Sequence, residues 1–270
     1  MSGIQKVILF TTLVANMVAL TAEAGETLRL GTTTSLYESG LLDYLLPVFE
    51  ARNNCKLHVI SAGTGKAIQL GKNGDVDVLL VHAQEAEVTF VKEGYGLHRT
   101  ELMHNDFIVL GPKEDPAGVR TAVDAAAAVR KIYNTAQPFV SRGDDSGTDK
   151  REKTLWSQSG LKPDASWYME TGQGMTATLM IADEKNAYCL ADRSTWLFNK
   201  GKIRLELLFQ GGKDLFNPYS VIAVNPQKHP HANYLLSKVF IKWLTSPECK
   251  KLINDYKIGD SQPFFTSSDK

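Results

Sequence analysis

Val76-Asp77-Val78-Leu79-Leu80-Val81-His82 is the run that decides the fold. It is mostly apolar and β-branched, as in a parallel strand buried on both faces, and such strands need crossover helices beside them. Helical patterns stand where this requires. One follows from Gln84 to Lys92 and is ended by Gly94. Before the run, Leu57 to Ser61 reads as a strand that passes through Ser61-Ala62-Gly63-Thr64-Gly65-Lys66 into a short helix around Ala67 to Leu70. Further back, Thr27 to Leu30 alternates as a strand and leads into Gly31-Thr32-Thr33-Thr34-Ser35. A helix then begins near Ser39, with Leu41, Leu42, Leu45, Leu46 and Phe49 at core spacing. Three β-loop-α units in succession predict a doubly wound sheet whose loops at the strands' C-terminal ends share one crevice.

A second α/β unit follows. The strand Asn105 to Gly111 leads to an Ala-rich helix from Ala122 to Tyr133, then to the strand Phe139 to Ser141 and a helix carrying Leu155 and Trp156. A further helix runs through Leu179 and Met180, followed by strands at Ala187 to Leu190 and Leu205 to Phe209. Tyr219 to Val224 is suited to crossing back, and helices from His231 to Leu244 and Pro247 to Ile253 are expected to pack on the first lobe. The predicted α/β fold has two doubly wound lobes, 25–109 with 216–270 and 110–215. Crossovers near Asn105 to Leu110 and Asn217 to Ile222 form the expected hinge.

A chain of 270 residues with 43% hydrophobic content can bury a sizeable core. Its formal net charge is zero, so no global field recruits nucleic acid or acidic membrane. Residues 1–24 stand apart: Lys6 precedes an apolar segment from Val7 to Leu20, and Ala22-Glu23-Ala24 has the small-x-small form of a signal-peptidase site. Cleavage after Ala24 and a periplasmic location are expected. Cys55, Cys189 and Cys249 are an odd set with no metal-clip spacing, so buried free thiols are the default.

The chemistry lies in the turns. Ser141-Arg142-Gly143-Asp144-Asp145-Ser146-Gly147-Thr148 joins a strand to a helix. Gly143 and Gly147 let the backbone turn and direct N–H groups, Ser146 and Thr148 add hydroxyls at a helix N-terminus, and Arg142 supplies a positive fork that Asp144 can hold. Read alone, this stretch fits a surface turn with an ordinary N-cap equally well. Gly31 to Ser35 carries four consecutive hydroxyls, and Gly172-Gln173-Gly174-Met175 opens another helix. Ser61 to Lys66 superficially suggests a nucleotide phosphate loop, but the G-x-x-x-x-G-K-[ST] spacing finds Ile60 and Ala67 at the required Gly and hydroxyl positions, which excludes it. Four donor-rich turns split between two units can surround a bare tetrahedral dianion, which accepts hydrogen bonds and donates none. Arg193 is expected to pair with Asp192 or a neighbouring acid, and His229 and His231 to lie in a solvated turn rather than form a weak metal site.

Together, Gly31 to Ser35, Ser61 to Gly65, Asp77 to Ala83, Asn105-Asp106-Phe107, Ser141 to Thr148 and Gly172 to Met175 resemble the tungstate-binding proteins of bacterial tungstate ABC transporters. The resemblance covers nearly all of residues 25–270. It implies a two-lobed periplasmic binding protein of type II, with tungstate or molybdate in the cleft for delivery to an ABC permease. It implies no cofactor, no catalysis and a monomeric chain. Carried over, it names Thr33, Thr34, Ser35, Thr64, Arg142, Ser146, Gly147, Thr148 and Gly174 as ligand-binding residues.

Other readings stay open. The R-x-D-x-S-G-T pattern from Arg142 to Thr148 also matches phosphate-binding proteins. Hydrogen phosphate favours a carboxylate acceptor, and the first two loops offer none. A secreted serine hydrolase would use Ser35 or Ser146, yet neither lies in G-x-S-x-G and the six histidines show no obvious partner. A receptor that only signals is the third possibility.

Overall fold

The apolar run forms the middle of a sheet covered on both sides. The computed structural model describes residues 25–164 and 166–266, so the expected leader and its cleavage point lie outside the described residues. Strand β1 (Glu26–Thr33) lies between β2 (Cys55–Ala62) and β3 (Val78–Val81), parallel to both, with Leu30 opposite Val59 and Val78. On its other side β3 meets β9 (Phe216–Val224) antiparallel, and β9 pairs with β4 (Gly96–Gly111). A short strand, β10 (Phe265–Thr266), lies on β4 at His104.

Alternate residues of β3 enter different cores, as a strand buried on both faces requires. Val78 and Leu80 pack with Leu41, Leu45 and Phe49 of α2 (Leu41–Asn53) and with Phe240 of α9 (Tyr234–Leu244). Leu79 and Val81 pack with Ala67 and Ile68 of α3 (Thr64–Asn73) and Phe90 of α4 (Gln84–Lys92). The last helix, α10 (Pro247–Asp255), adds Cys249 and Ile253 to the first of these cores.

The second unit repeats the plan around the other end of β4. Residues Phe107 to Gly111 pair antiparallel with β7 (Cys189–Asp192) and β8 (Glu206–Gln210). Strand β5 (Phe139–Ser141) lies parallel to β6 (Tyr168–Glu170) and bridges to the chain at Tyr188. Phe107 and Val109 face a core built with α5 (Ala125–Asn134) and α6 (Gly147–Gln158). Ile108 and Leu110 face one built with α7 (Met175–Glu184) and α8 (Arg193–Asn199). Buried members of the first two cores fall within residues 28–103 and 219–264, and those of the other two within 107–215. The changeovers sit at 104–106 and 216–218, beside the predicted crossovers.

Two elements differ from the sequence reading. The expected strand Asn105 to Gly111 is the end of a strand beginning at Gly96, because the polar residues before it pair with β9 through two register shifts. The Thr-Thr-Thr-Ser turn is not an open loop: α1 (Thr34–Glu38) begins within it. All three cysteines are free and buried. Among the described residues, no helix is long and apolar enough to cross a membrane.

Candidate functional site

Strand β1 delivers the first turn. Thr33 is the N-cap of α1, accepting from Leu36 N at 3.4 Å, and its hydroxyl lies 3.4 Å from Ser35 Oγ. Both side chains are buried, and Thr34 is half-buried. Strand β2 delivers the second. Gly63 caps α3 with no side-chain acceptor, so the helix's first N–H groups keep their free hydrogens. Thr64 follows, 1% exposed, and its hydroxyl has no hydrogen-bond partner among the described residues.

Strand β5 delivers the arginine turn, and one carboxylate shapes it. Asp149 accepts from Gly143 N at 3.1 Å, from Asp145 N at 3.2 Å and from Lys153 Nζ at 3.0 Å. The amide of Gly143 therefore serves the loop's own scaffold rather than a ligand, which corrects the sequence reading. Gly143 and Asp145 both adopt left-handed backbone, at φ 59° and 58°. Arg142 is only 3% exposed and donates from Nη2 to Asp144 Oδ2 at 2.5 Å, as its i+2 spacing foretold. Its Nε is buried with no partner among the described residues, as is the Thr148 hydroxyl. Ser146 caps α6 by accepting from Asp149 N at 3.3 Å, which leaves Gly147 and Thr148 in the helix's first turn.

The fourth turn is tied to the third. Thr171 N donates to Ser141 O at 3.0 Å and Gly172 N to Arg142 O at 2.8 Å, placing Gly174 as N-cap of α7. Thr34, Gly63, Gly65, Arg142, Asp145 and Gly174 line a single cavity of about 430 Å³, so all four turns meet. Thr176 of α7 donates to Glu38 Oε2 of α1 at 2.8 Å. The nearby carboxylates are engaged: Asp144 by Arg142, Asp145 by Lys150 at 3.2 Å, and Asp149 by the loop amides. The cavity is thus rich in unused donors and holds no free carboxylate among these residues.

Sequence reading missed His82. Its ring is buried, lies 2.8 Å through Nδ1 from Asn217 Oδ1 and 3.4 Å through Nε2 from Ser35 Oγ, and stacks on Tyr219 at 4.6 Å. Burial holds this imidazole below the usual histidine range, against the raising effects of Asn217 and Asp192, while Arg142 lowers it further. Ser35 thus has a histidine neighbour that spacing could not reveal, because the two lie 47 residues apart and the ring's other partner, Asn217, a further 135. Arg193 pairs with Asp106 at 3.0 Å rather than Asp192, which instead caps α8. His229 and His231 meet the carbonyls of Lys72 and Gly74, each at 2.9 Å. No metal-holding cluster occurs among the described residues.

The chain matches the family model described as "PBP superfamily domain" over residues 20–248. It is 43% identical over 247 residues to the tungstate-binding protein TupA of Peptoclostridium acidaminophilum, covering 90% of this chain and 86% of that one. Among solved structures it aligns with the tungstate ABC transporter from Geobacter sulfurreducens at 49% identity and a TM-score of 0.81, covering 86% of this chain and 99% of that one. It aligns with the tungstate binding protein TupA from Desulfovibrio alaskensis G20 at 43% identity and a TM-score of 0.80, covering 91% and 100%.

Proposed function

The chain belongs to the PBP superfamily and, within it, to the family of tungstate-binding TupA proteins, and we propose that its four turns capture tungstate for an ABC importer. One observation carries this reading. In these turns the Thr64 hydroxyl, Arg142 Nε and the Thr148 hydroxyl are buried with no partner among the described residues, and they come from both halves of the molecule. An unmade buried hydrogen bond costs about 1–3 kcal/mol, so such donors belong with an acceptor that arrives from outside. A tetrahedral dianion has only acceptors to offer, and each charge-assisted bond to it contributes about 1.5–3 kcal/mol.

The proposed ligand set is Thr33, Thr34, Ser35, Thr64, Arg142, Ser146, Gly147, Thr148 and Gly174, with molybdate as the close alternative cargo. The lobes are 25–109 with 216–270 and 110–215, hinged where β4 and β9 run side by side. The protein works as a periplasmic monomer that hands its anion to a membrane permease, without cofactor or turnover. Titration calorimetry of the purified protein with tungstate, molybdate, sulfate and phosphate tests this. Tungstate or molybdate should bind far more tightly than phosphate; tighter phosphate binding would overturn the reading.

A further inference from the structure

His82 directly follows β3 and lies beside Ser35, and two partners fix how its ring is used. Asn217 spends an amide hydrogen on Asn105 Oδ1 at 2.6 Å, so its own carbonyl oxygen faces the imidazole and accepts the Nδ1 hydrogen. Nε2 then carries a lone pair directed at Ser35 Oγ. On its other side the ring lies against Gly147, close enough that a Cβ there would come within 3.0 Å of Cε1. His82 therefore touches two of the proposed ligand groups, one from each half of the molecule.

Ser35 has a single hydroxyl hydrogen. If it is given to an anion, Nε2 is left as a buried acceptor with nothing to accept. A proton on Nε2 removes the conflict: Nε2–H donates to Ser35 Oγ, and the Ser35 hydroxyl donates onward to the anion. Resting on the oxyanion reading above, we propose that His82 is a positioning residue that takes up one proton as the anion binds and thereby turns Ser35 toward it. The proton comes from solvent and ends on Nε2; no covalent bond to the anion forms or breaks.

The surrounding charges permit this. Asp192, at the start of α8, favours an imidazolium, while burial and Arg142 oppose it. Tyr219 of β9, stacked on the ring, is kept a neutral phenol by burial. On the far side Glu85 of α4 and Lys150 and Arg151 of α6 line a cavity of about 260 Å³ that reaches His82 and gives a proton a way in. Lys150 is held by Asp145, and Arg151 lies over the Phe107 ring at 5.9 Å. Only the arriving anion changes the charge balance between the two states, and it favours the protonated ring.

Titration calorimetry with sodium tungstate, in two buffers of different ionisation heat near neutral pH, reads the proton count directly. The wild type should take up about one proton per anion, with affinity falling up to about tenfold per pH unit on the alkaline side. His82→Gln keeps an amide in the ring's place and should bind tungstate with no proton uptake and a flat pH profile. Equal proton uptake in wild type and variant overturns the proposal, as does tight wild-type binding without uptake. Should the variant fail to fold, nitrogen NMR of ring-labelled wild type decides: tungstate should convert Nε2 from bare to protonated, and an Nε2 that stays bare with tungstate bound refutes the role. No tungstate binding by wild type would instead overturn the transport reading, and this proposal with it.

Discussion

Asn217 donates to Asn105 Oδ1 at 2.6 Å where β4 and β9 run together from one pair of cores to the other. Both asparagines are buried, and each reaches outward, Asn217 to His82 and Asn105 to Ser194 at 3.4 Å. This crossing is therefore pinned by a polar chain whose members satisfy one another, and a half-satisfied chain is worse than none.

Asn217→Ala should consequently destabilise the protein well beyond the loss of one bond. It strands Asn105 Oδ1 and His82 Nδ1 in the interior, at about 1–3 kcal/mol each. Differential scanning calorimetry of the anion-free protein should show a melting temperature lower by roughly 5–15 °C. A shift within error would mean that solvent reaches this chain.

Arg142→Ala and Arg142→Lys should each weaken tungstate binding at least about a hundredfold, because the fork supplies charge-assisted bonds that a point charge does not reproduce. Melting of the anion-free protein should barely move, since Asp144 keeps its bond from Ser146 N at 3.2 Å. Unchanged affinity in either variant would remove Arg142 from the site.

Thr64→Val and Thr148→Val should move stability and binding in opposite directions. Each deletes a buried hydroxyl that has no partner among the described residues, so the anion-free protein should hold or gain up to about 1 kcal/mol. Tungstate affinity should fall about tenfold or more per hydroxyl. Loss of stability without loss of affinity would assign these hydroxyls to the scaffold.

The sequence exposed this site unevenly, for physical reasons. Periodicity located the two-faced strand β3 and the Gly-rich helix starts because burial and capping write themselves into neighbouring residues. The first half of β4 was invisible: Leu97, Thr100 and Glu101 carry no strand pattern, and pairing with β9 alone makes them one. Asp149 reads as an ordinary first-turn acid, yet it accepts two loop amides because Gly143 and Asp145 turn left-handed. His82 gains its meaning from Asn217, a partner that only the folded chain supplies.

Glu152 should make stability depend on pH. Buried in α6, it accepts from Trp156 Nε1 at 3.0 Å and Tyr168 OH at 2.8 Å, and burial pushes its carboxyl up to about 7 from an ordinary 4.5. The folded chain holds this proton more tightly than the unfolded one. The resulting stability is complete below pH 4.5, is lost as pH rises toward 7, and amounts to about 3 kcal/mol. Glu152→Gln keeps an acceptor for both donors and should remove that slope between about pH 5 and 7 in urea unfolding. Parallel curves for the two proteins would show that Glu152 is ionised throughout.

Two glycines at the cleft should respond differently to the same added methyl group. A Cβ on Gly147 would lie 3.0 Å from Cε1 and 3.2 Å from Nδ1 of His82, and 3.2 Å from its carbonyl oxygen. That ring cannot yield, being bonded to Asn217 and stacked on Tyr219. A Cβ on Gly65 meets only Asp145 Oδ2 at 3.0 Å, the far end of a side chain 74% exposed whose solvent-facing pair with Lys150 can shift with it. Gly147→Ala should therefore hold the halves apart and weaken tungstate binding about tenfold or more, while Gly65→Ala stays within a few-fold of wild type. Calorimetric titration of both variants measures the contrast. Equal losses would mean that His82 and Gly147 do not meet when the anion is bound.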